Sequence, residues 1–280
     1  MSVLKKHTVG KNIPWIVEEY HSFEELLRFN RTRQHLHNED TINSREFDED
    51  WMGVKSYSEA ENLLRYGWDK HVPELKKYID KTKINGTTVK RMRTEQNVTG
   101  FAPIVSNAIL GLPNSMLNTV IKPIKTKVIS IMYDITTPCG FSPKTILQIG
   151  LKLMRTIIVL ESKGYRVRLQ AMQSYSDSKS ADMLMVRVKN ENQPLDCKRI
   201  MFPLIHPGMF RAIGFAWWER CPGTKAKGGY GHFMAAEYGE KKTRQYMKEV
   251  FGKDVKYINC GELTDLSEEQ IEERILQNLF

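Results

Sequence analysis

The segment from Lys127 to Gln173 constrains the fold more than any other part of the chain. KVISIMYDI is a continuous apolar run of strand length, the pattern of a strand buried on both faces. Ser142 and Pro143 stand where a helix N-cap and first turn belong, and Gly164 stands where that helix should stop. Between them, ILQIGLKLMRTIIVLESKG is apolar around much of its circumference, so the helix needs cover on more than one side. YRVRLQAMQ then alternates as a second strand, SYSDSKSAD is a polar turn, and MLMVRVKNE is a third strand. Strand, helix, strand within one sheet is a right-handed crossover, and the short link after it makes an antiparallel hairpin. The expected class is α/β: a Rossmann-like, mostly parallel sheet with an antiparallel edge hairpin, plus an N-terminal helical region.

The flanking sequence divides around this core. LDCKRIMFPLI and MFRAIGFAWWE are apolar and separated by His206, Pro207 and Gly208. EKKTRQYMKEVFG reads as an amphipathic helix ending at Gly252, VKYINCGEL as a last strand and SEEQIEERILQNLF as a capped terminal helix. Upstream, HSFEELLRFNRTRQHL offers Ser22 as a cap with Glu25 three residues on, and SYSEAENLLRYGWD repeats the theme with Ser58 and Glu61. NEDTINSREFDED between them is a polar loop. Residues 81–126 hold no long period; their short apolar pieces, broken by glycine and proline, predict an irregular connector packed against a core. The expected organisation is 1–80 helical, 81–126 connector and 127–280 α/β core.

Charge sharpens that division. Residues 1–80 carry a net charge of −3, residues 81–130 carry +7 and the remainder +5. Lys81, Lys83, Lys90, Arg91, Arg93, Lys125 and Lys127 therefore form a candidate basic patch for phosphates or an acidic surface, with Tyr78 as a stacking aromatic. No apolar run approaches the roughly 18 residues of a membrane span. The first residues lack the apolar stretch of a secretory signal. Cys139, Cys197, Cys221 and Cys260 form no CxxC pair, which suits reduced thiols in a cytoplasm.

The candidate chemistry gathers after the first core strand, where Asp134, Thr136, Thr137 and Ser142 crowd together. This pattern resembles von Willebrand factor A domains over about 126–265. In that family the first strand ends in D-x-S-x-S, which binds a divalent ion through the acid and the hydroxyls. Here Asp134 matches the acid and Thr136 replaces the first serine, but Pro138 stands in the second serine's place and offers no side-chain oxygen. A hard cation takes about six oxygens. The loop supplies one carboxylate and one or two hydroxyls, while Asp177 and Asp182 lie at the hairpin. The expectation is a degenerate ion site with no metal or cofactor, in which Asp134 tightens a strand-to-helix turn; magnesium or manganese at Asp134 is the alternative. Over about 50–235, stretches such as LPNSMLN, LESKGYRVRL and ADMLMVRVKNENQPLDCKRIMFPLIHPGMFR resemble sequences of an uncharacterised family from tailed phages and prophages. That implies a viral origin and no particular chemistry.

No GxSxG elbow, HExxH, GxxxxGK[ST] or deaminase HxE with PCxxC occurs. GTKAKGGYG places Lys225 and Lys227 ahead of Gly228 and Gly229, the reverse of a phosphate loop, and reads as a mobile loop. The spacing of His35 and His37 does not suit a metal on one helix face. His206 has the surroundings of a core histidine, His232 is a base candidate without a sequence partner, and Cys139 precedes a helix N-terminus where a thiol can be acidified. Of the adjacent Trp217 and Trp218, one should face the core and the other away from it beside Arg220, where it is either covered by the apolar N-terminal helices or exposed as a candidate interface anchor. The resulting expectation is a non-catalytic cytoplasmic interaction protein that binds a protein partner, a host factor or phage component. The rivals are a nucleic-acid-binding protein using the basic segments and a divalent-metal enzyme using Asp134. Oligomeric state is open.

Overall fold

A computed structural model describes residues 3–9, 13–36, 40–44, 47–81, 91–122, 127–137, 139–176, 181–221, 236–252 and 254–277. The chain opens with two strands, β1 (Val3–Val9) and β2 (Ile13–Tyr20), paired antiparallel. Helices α1 (Phe23–Thr32), α2 (Glu49–Met52), α3 (Tyr57–Tyr66) and α4 (Val72–Lys81) follow. The N-terminal region is thus not wholly helical, and it is not a separate unit. IPWIVEEY enters the main sheet beside a strand about 165 residues further on, with Trp15 opposite Ala181 and Tyr20 opposite Val186. Ser22 caps α1 by accepting the amide of Glu25 at 3.3 Å. The cap of α3 is Ser56, accepting from Glu59 at 3.2 Å, two residues ahead of the expected Ser58.

Residues 91–122 build a small arm instead of an irregular connector: β3 (Arg91–Asn97), β4 (Ala102–Pro103), α5 (Val105–Ile109) and β5 (Met116–Lys122). Its sheet runs β3-β5-β4, all antiparallel. The core then follows the expected order, with β6 (Val128–Asp134), α6 (Pro143–Ser162), β7 (Arg166–Ser176) and β8 (Ala181–Lys189). After these come α7 (Cys197–Ile205), a π-helical turn Met209–Gly214, α8 (Phe215–Trp218), α9 (Ala236–Phe251), β9 (Val255–Asn259) and α10 (Glu268–Leu276).

The main sheet runs β1-β2-β8-β7-β6-β9. β6 lies parallel to both β7 and β9, and β2 lies parallel to β8, so the fold is α/β, Rossmann-like and mostly parallel. The β7–β8 hairpin is antiparallel as expected, yet it is not an edge, because β2 and β1 extend the sheet beyond it. Alternation along the strands sends Ile129, Ile131, Tyr133, Val167, Leu169, Ala171, Leu184 and Val186 to one face, under α1, α3, α6, α7 and the π turn. Met132, Met172, Met183 and Met185 point to the other face, which α9 covers with Tyr246 and Met247.

Both sides of α6 are indeed covered. Ser142 accepts the Thr145 amide at 3.1 Å and Pro143 opens the helix. Gly150 lets α7 approach so closely that a Cβ there would sit 2.5 Å from the Ile205 Cβ. Lys189 is buried, yet its ammonium donates to Glu161 at 2.5 Å and to the Val167 carbonyl at 3.0 Å, so the charge stays paired.

Candidate functional site

Asp134 ends β6 on the face covered by α9 and is completely buried. Its carboxylate accepts the Thr136 amide at 3.0 Å, the Tyr257 hydroxyl from β9 at 2.9 Å and the Ser174 hydroxyl from β7 at 3.3 Å. Ser174 in turn shares a hydrogen bond with Thr243 on α9 at 3.1 Å, and the Thr136 oxygen accepts the Ser174 amide at 3.4 Å. Burial pushes the Asp134 carboxyl up to about 6, opposed by the hydrogen bonds from Thr136, Tyr257 and Ser174. Sequence reasoning found Asp134 and Thr136 but missed Ser174, Thr243 and Tyr257, whose residue types carry no signal at their positions.

The ion that the von Willebrand resemblance implies does not fit these residues. A magnesium or manganese ion takes about six oxygens in near-octahedral array. Asp134 is the lone carboxylate of the cluster, and protein donors already occupy both its oxygens. Asp182 alternates with Ala181 and Met183 on β8, which puts it on the opposite face of the sheet from Asp134. Asp177 lies outside the described residues. Among the described residues no group of three or more His, Cys, Asp or Glu side chains could hold a metal. Ser142 is engaged as the α6 cap. Buried Thr137 borders an enclosed gap of about 10 Å³, shared with Tyr133, Cys260 and His206, which is the size of one water and too small for a substrate.

The other candidates sort by burial. His206 stacks on Phe202 with centroids 4.9 Å apart and meets the edge of Trp68 at 4.6 Å, while its Nδ1 accepts the Gly208 amide at 3.0 Å. Burial, aided by the Lys70 charge, lowers it to about 4, so it is a neutral core residue at physiological pH. Cys139 is exposed, and its carbonyl accepts the Trp51 indole N–H at 3.1 Å. His35 is 3.7 Å from Asp40. His37, His232, Lys225, Lys227, Gly228 and Gly229 lie outside the described residues, so the glycine-lysine loop does too.

Trp217 and Trp218 are both buried, with α1 packed against α8, so the covered alternative holds and neither is an exposed interface anchor. The Trp217 indole donates to Glu18 at 2.9 Å, and the Tyr20 hydroxyl donates to the same oxygen at 2.5 Å. Arg220 is no interface anchor either. Its guanidinium bonds Glu219 at 2.9 Å, Asp40 at 2.7 Å and the Arg33 carbonyl at 3.2 Å, so it clamps the 40–44 loop to the core. Sequence reasoning also missed Arg211, a fully buried cation on the π turn. It donates to the carbonyls of Trp51 at 2.6 Å and Phe141 at 2.7 Å and lies 4.3 Å from the Trp51 ring centroid. Burial lowers it to about 10, which leaves it charged at neutral pH.

Four of the seven basic-patch residues fall within the described residues. Lys127 is exposed beside β6, Lys81 ends α4, Arg91 and Arg93 lie on β3, and Lys83, Lys90 and Lys125 fall outside the described residues. Tyr78 is not free to stack on a base: its hydroxyl donates to Glu268 at 3.0 Å and Arg155 covers its ring at 5.4 Å. A cleft of about 750 Å³ between α9 and α10 is lined by Arg244, Lys248, Glu273 and Arg274. Glu262 engages both Arg244 and Arg274 there, so charges of both signs offset each other in its walls.

The arm presents the opposite chemistry. Residues 96–121 include no charged side chain in a chain that is 27% charged. No residue from 94 to 119 is buried. Val98, Phe101, Val105, Ile109, Leu110 and Leu112 are 65%, 66%, 64%, 80%, 72% and 47% exposed. The arm's elements pack principally on one another. The short apolar pieces of 81–126 predict packing against a core, whereas those within 98–112 face outward.

A family model described as a domain of unknown function, DUF7192, matches residues 6–275. No curated protein and no solved structure matches the chain.

Proposed function

We propose that this chain, which belongs to the DUF7192 family by a match over residues 6–275, is a non-catalytic interaction protein whose arm binds a protein partner. The observation that carries this reading is the uncharged tract 96–121 with six large apolar residues exposed within 98–112. Six such residues at about two-thirds exposure leave on the order of 600 Å² of apolar surface uncovered, at the upper limit for an ordinary monomer. A partner that covers it removes a cost that the free protein carries.

The polar groups elsewhere support the same reading. Asp134, His206, Arg211 and Glu219 are buried and hydrogen-bonded to their own chain, an arrangement that suits a rigid scaffold. The tailed-phage resemblance is the ground for seeking the partner among host or phage proteins. Nucleic acid suits the arm less well, since the tract contributes no cation to meet phosphate.

The test immobilises the full chain beside an Ile109→Asp, Leu110→Asp variant and identifies retained proteins by mass spectrometry. A partner held by the wild type and lost by the variant supports the reading. Turnover of nucleotide, nucleic acid or peptide that Asp134→Ala abolishes would overturn it.

A further inference from the structure

We propose that the partner seated on the arm is a second copy of this chain, joined through the free edge of β3 about a two-fold axis at Thr94; this rests on the arm being a binding surface. The two edges of the small sheet differ. β4 is two residues long and includes Pro103, the usual means of blunting an edge. β3 runs for seven residues without proline and, among the described residues, pairs on one side only, with β5. Its outward amide and carbonyl groups form a template for another strand. A three-stranded sheet in which no residue from 94 to 119 is buried gains most from extension, because that stretch encloses no core of its own.

The sequence of β3, RMRTEQN, complements itself in one antiparallel register. With Thr94 on the axis, position 93 lies opposite position 95 of the second copy, position 92 opposite 96, and position 91 opposite 97. Arginine meets glutamate on both sides of the axis. Moving the axis by one residue sets arginine 93 against arginine 93, or glutamate 95 against glutamate 95, and like charges directly opposite are unfavourable. The register is therefore specified by charge, and the two-fold makes the contact closed.

Direction accounts for the apolar tip. β3 runs outward from the end where Arg91 pairs with Lys122, six residues before β6 begins. An antiparallel mate runs back the other way, so Asn97 of each copy lies beside Arg91 of the other. Residues 98–112 then continue past the neighbour's arm towards its α/β body, where the exposed Ile109, Leu110 and Leu112 find cover. The absence of charge from 96 to 121 suits such a contact, since an uncharged surface does not repel its own copy.

Light scattering on the full chain after size exclusion, over concentrations up to about 100 µM, tests this. The expected mass is twice 32.5 kDa. Arg93→Glu, which acts twice per dimer, should weaken association about tenfold or more, and adding Glu95→Arg should restore it; Thr94→Pro should abolish it, with circular dichroism unchanged. A monomer throughout, a dimer that survives Thr94→Pro, or no recovery in the charge-swapped double variant overturns the proposal. A monomeric wild type whose captured protein is still lost with Ile109→Asp, Leu110→Asp refutes the second copy alone. A monomer whose captured proteins are unchanged by that variant removes the arm as a binding surface as well.

Discussion

Replacing Asp134 with asparagine should make the protein more stable at neutral pH and change little in acid. Burial holds the folded carboxyl near 6, against an ordinary value of 3.8. Between those two values the folded state binds more protons than the unfolded state, so wild-type stability from this group falls as the pH rises. The loss begins above about pH 4 and is complete above about pH 6. Its size is the shift times 1.36 kcal/mol per unit, or about 3 kcal/mol. Asparagine keeps an oxygen for the Thr136 amide, and its NH₂ can donate to the Tyr257 and Ser174 hydroxyls, which then turn to accept. The charge is gone and the geometry stays. Urea denaturation of both proteins at pH 4.5, 5.5 and 7.5 measures the difference, in which other titrating groups cancel. Asp134→Asn should gain about 2 kcal/mol over wild type between pH 4.5 and pH 7.5, or several degrees in melting temperature. A difference that is flat with pH, or one in which the variant loses ground as pH rises, would refute the argument and show that Asp134 is held as a favourable anion.

Gly150→Ala should cost about 1–3 kcal/mol, because its Cβ would push into Ile205 across the α6–α7 contact; an unchanged urea midpoint would show that α7 simply moves aside. Glu219→Gln should cost about 3 kcal/mol, since Glu219 accepts from Arg220 and from the amide and hydroxyl of Thr41, and the loss of its charge leaves Arg220 with one carboxylate, Asp40, beside the neutral Arg33 and Ala216 carbonyls. Its midpoint, compared with wild type, is the measurement, and a change below about 0.5 kcal/mol contradicts the clamp. Calorimetric titration with magnesium or manganese should give no heat that depends on Asp134, and a stoichiometric isotherm lost in Asp134→Ala would restore the ion site.

The local grammar of the core was legible. Ser142, Pro143 and Gly164 bound α6 through the cap and the stop that their own chemistry dictates, and the apolar run before them is the central strand. These features depend on neighbours within a few residues, so a linear reading reaches them. The first twenty residues show the limit. IPWIVEEY becomes a strand because β8 stands beside it, a partner about 165 residues away. For Trp217 and Trp218 the sequence leaves cover and exposure both open for one ring, and the π turn before them with the closure by α1 and the sheet encloses both.

The order of residues alone determined that this chain holds a buried crossover core and a long tract without charge. Tertiary structure decided which residues meet around each. The ring around Asp134 is assembled from Ser174, Thr243 and Tyr257, brought from 40 to 123 residues away by the parallel register of β7, β6 and β9 and by the packing of α9 over that face. The direction in which the apolar tract faces depends on which surfaces were already covered. α6, α7 and the N-terminal strands pack the core with one another, whereas the elements of the arm pair among themselves and leave their apolar side chains exposed.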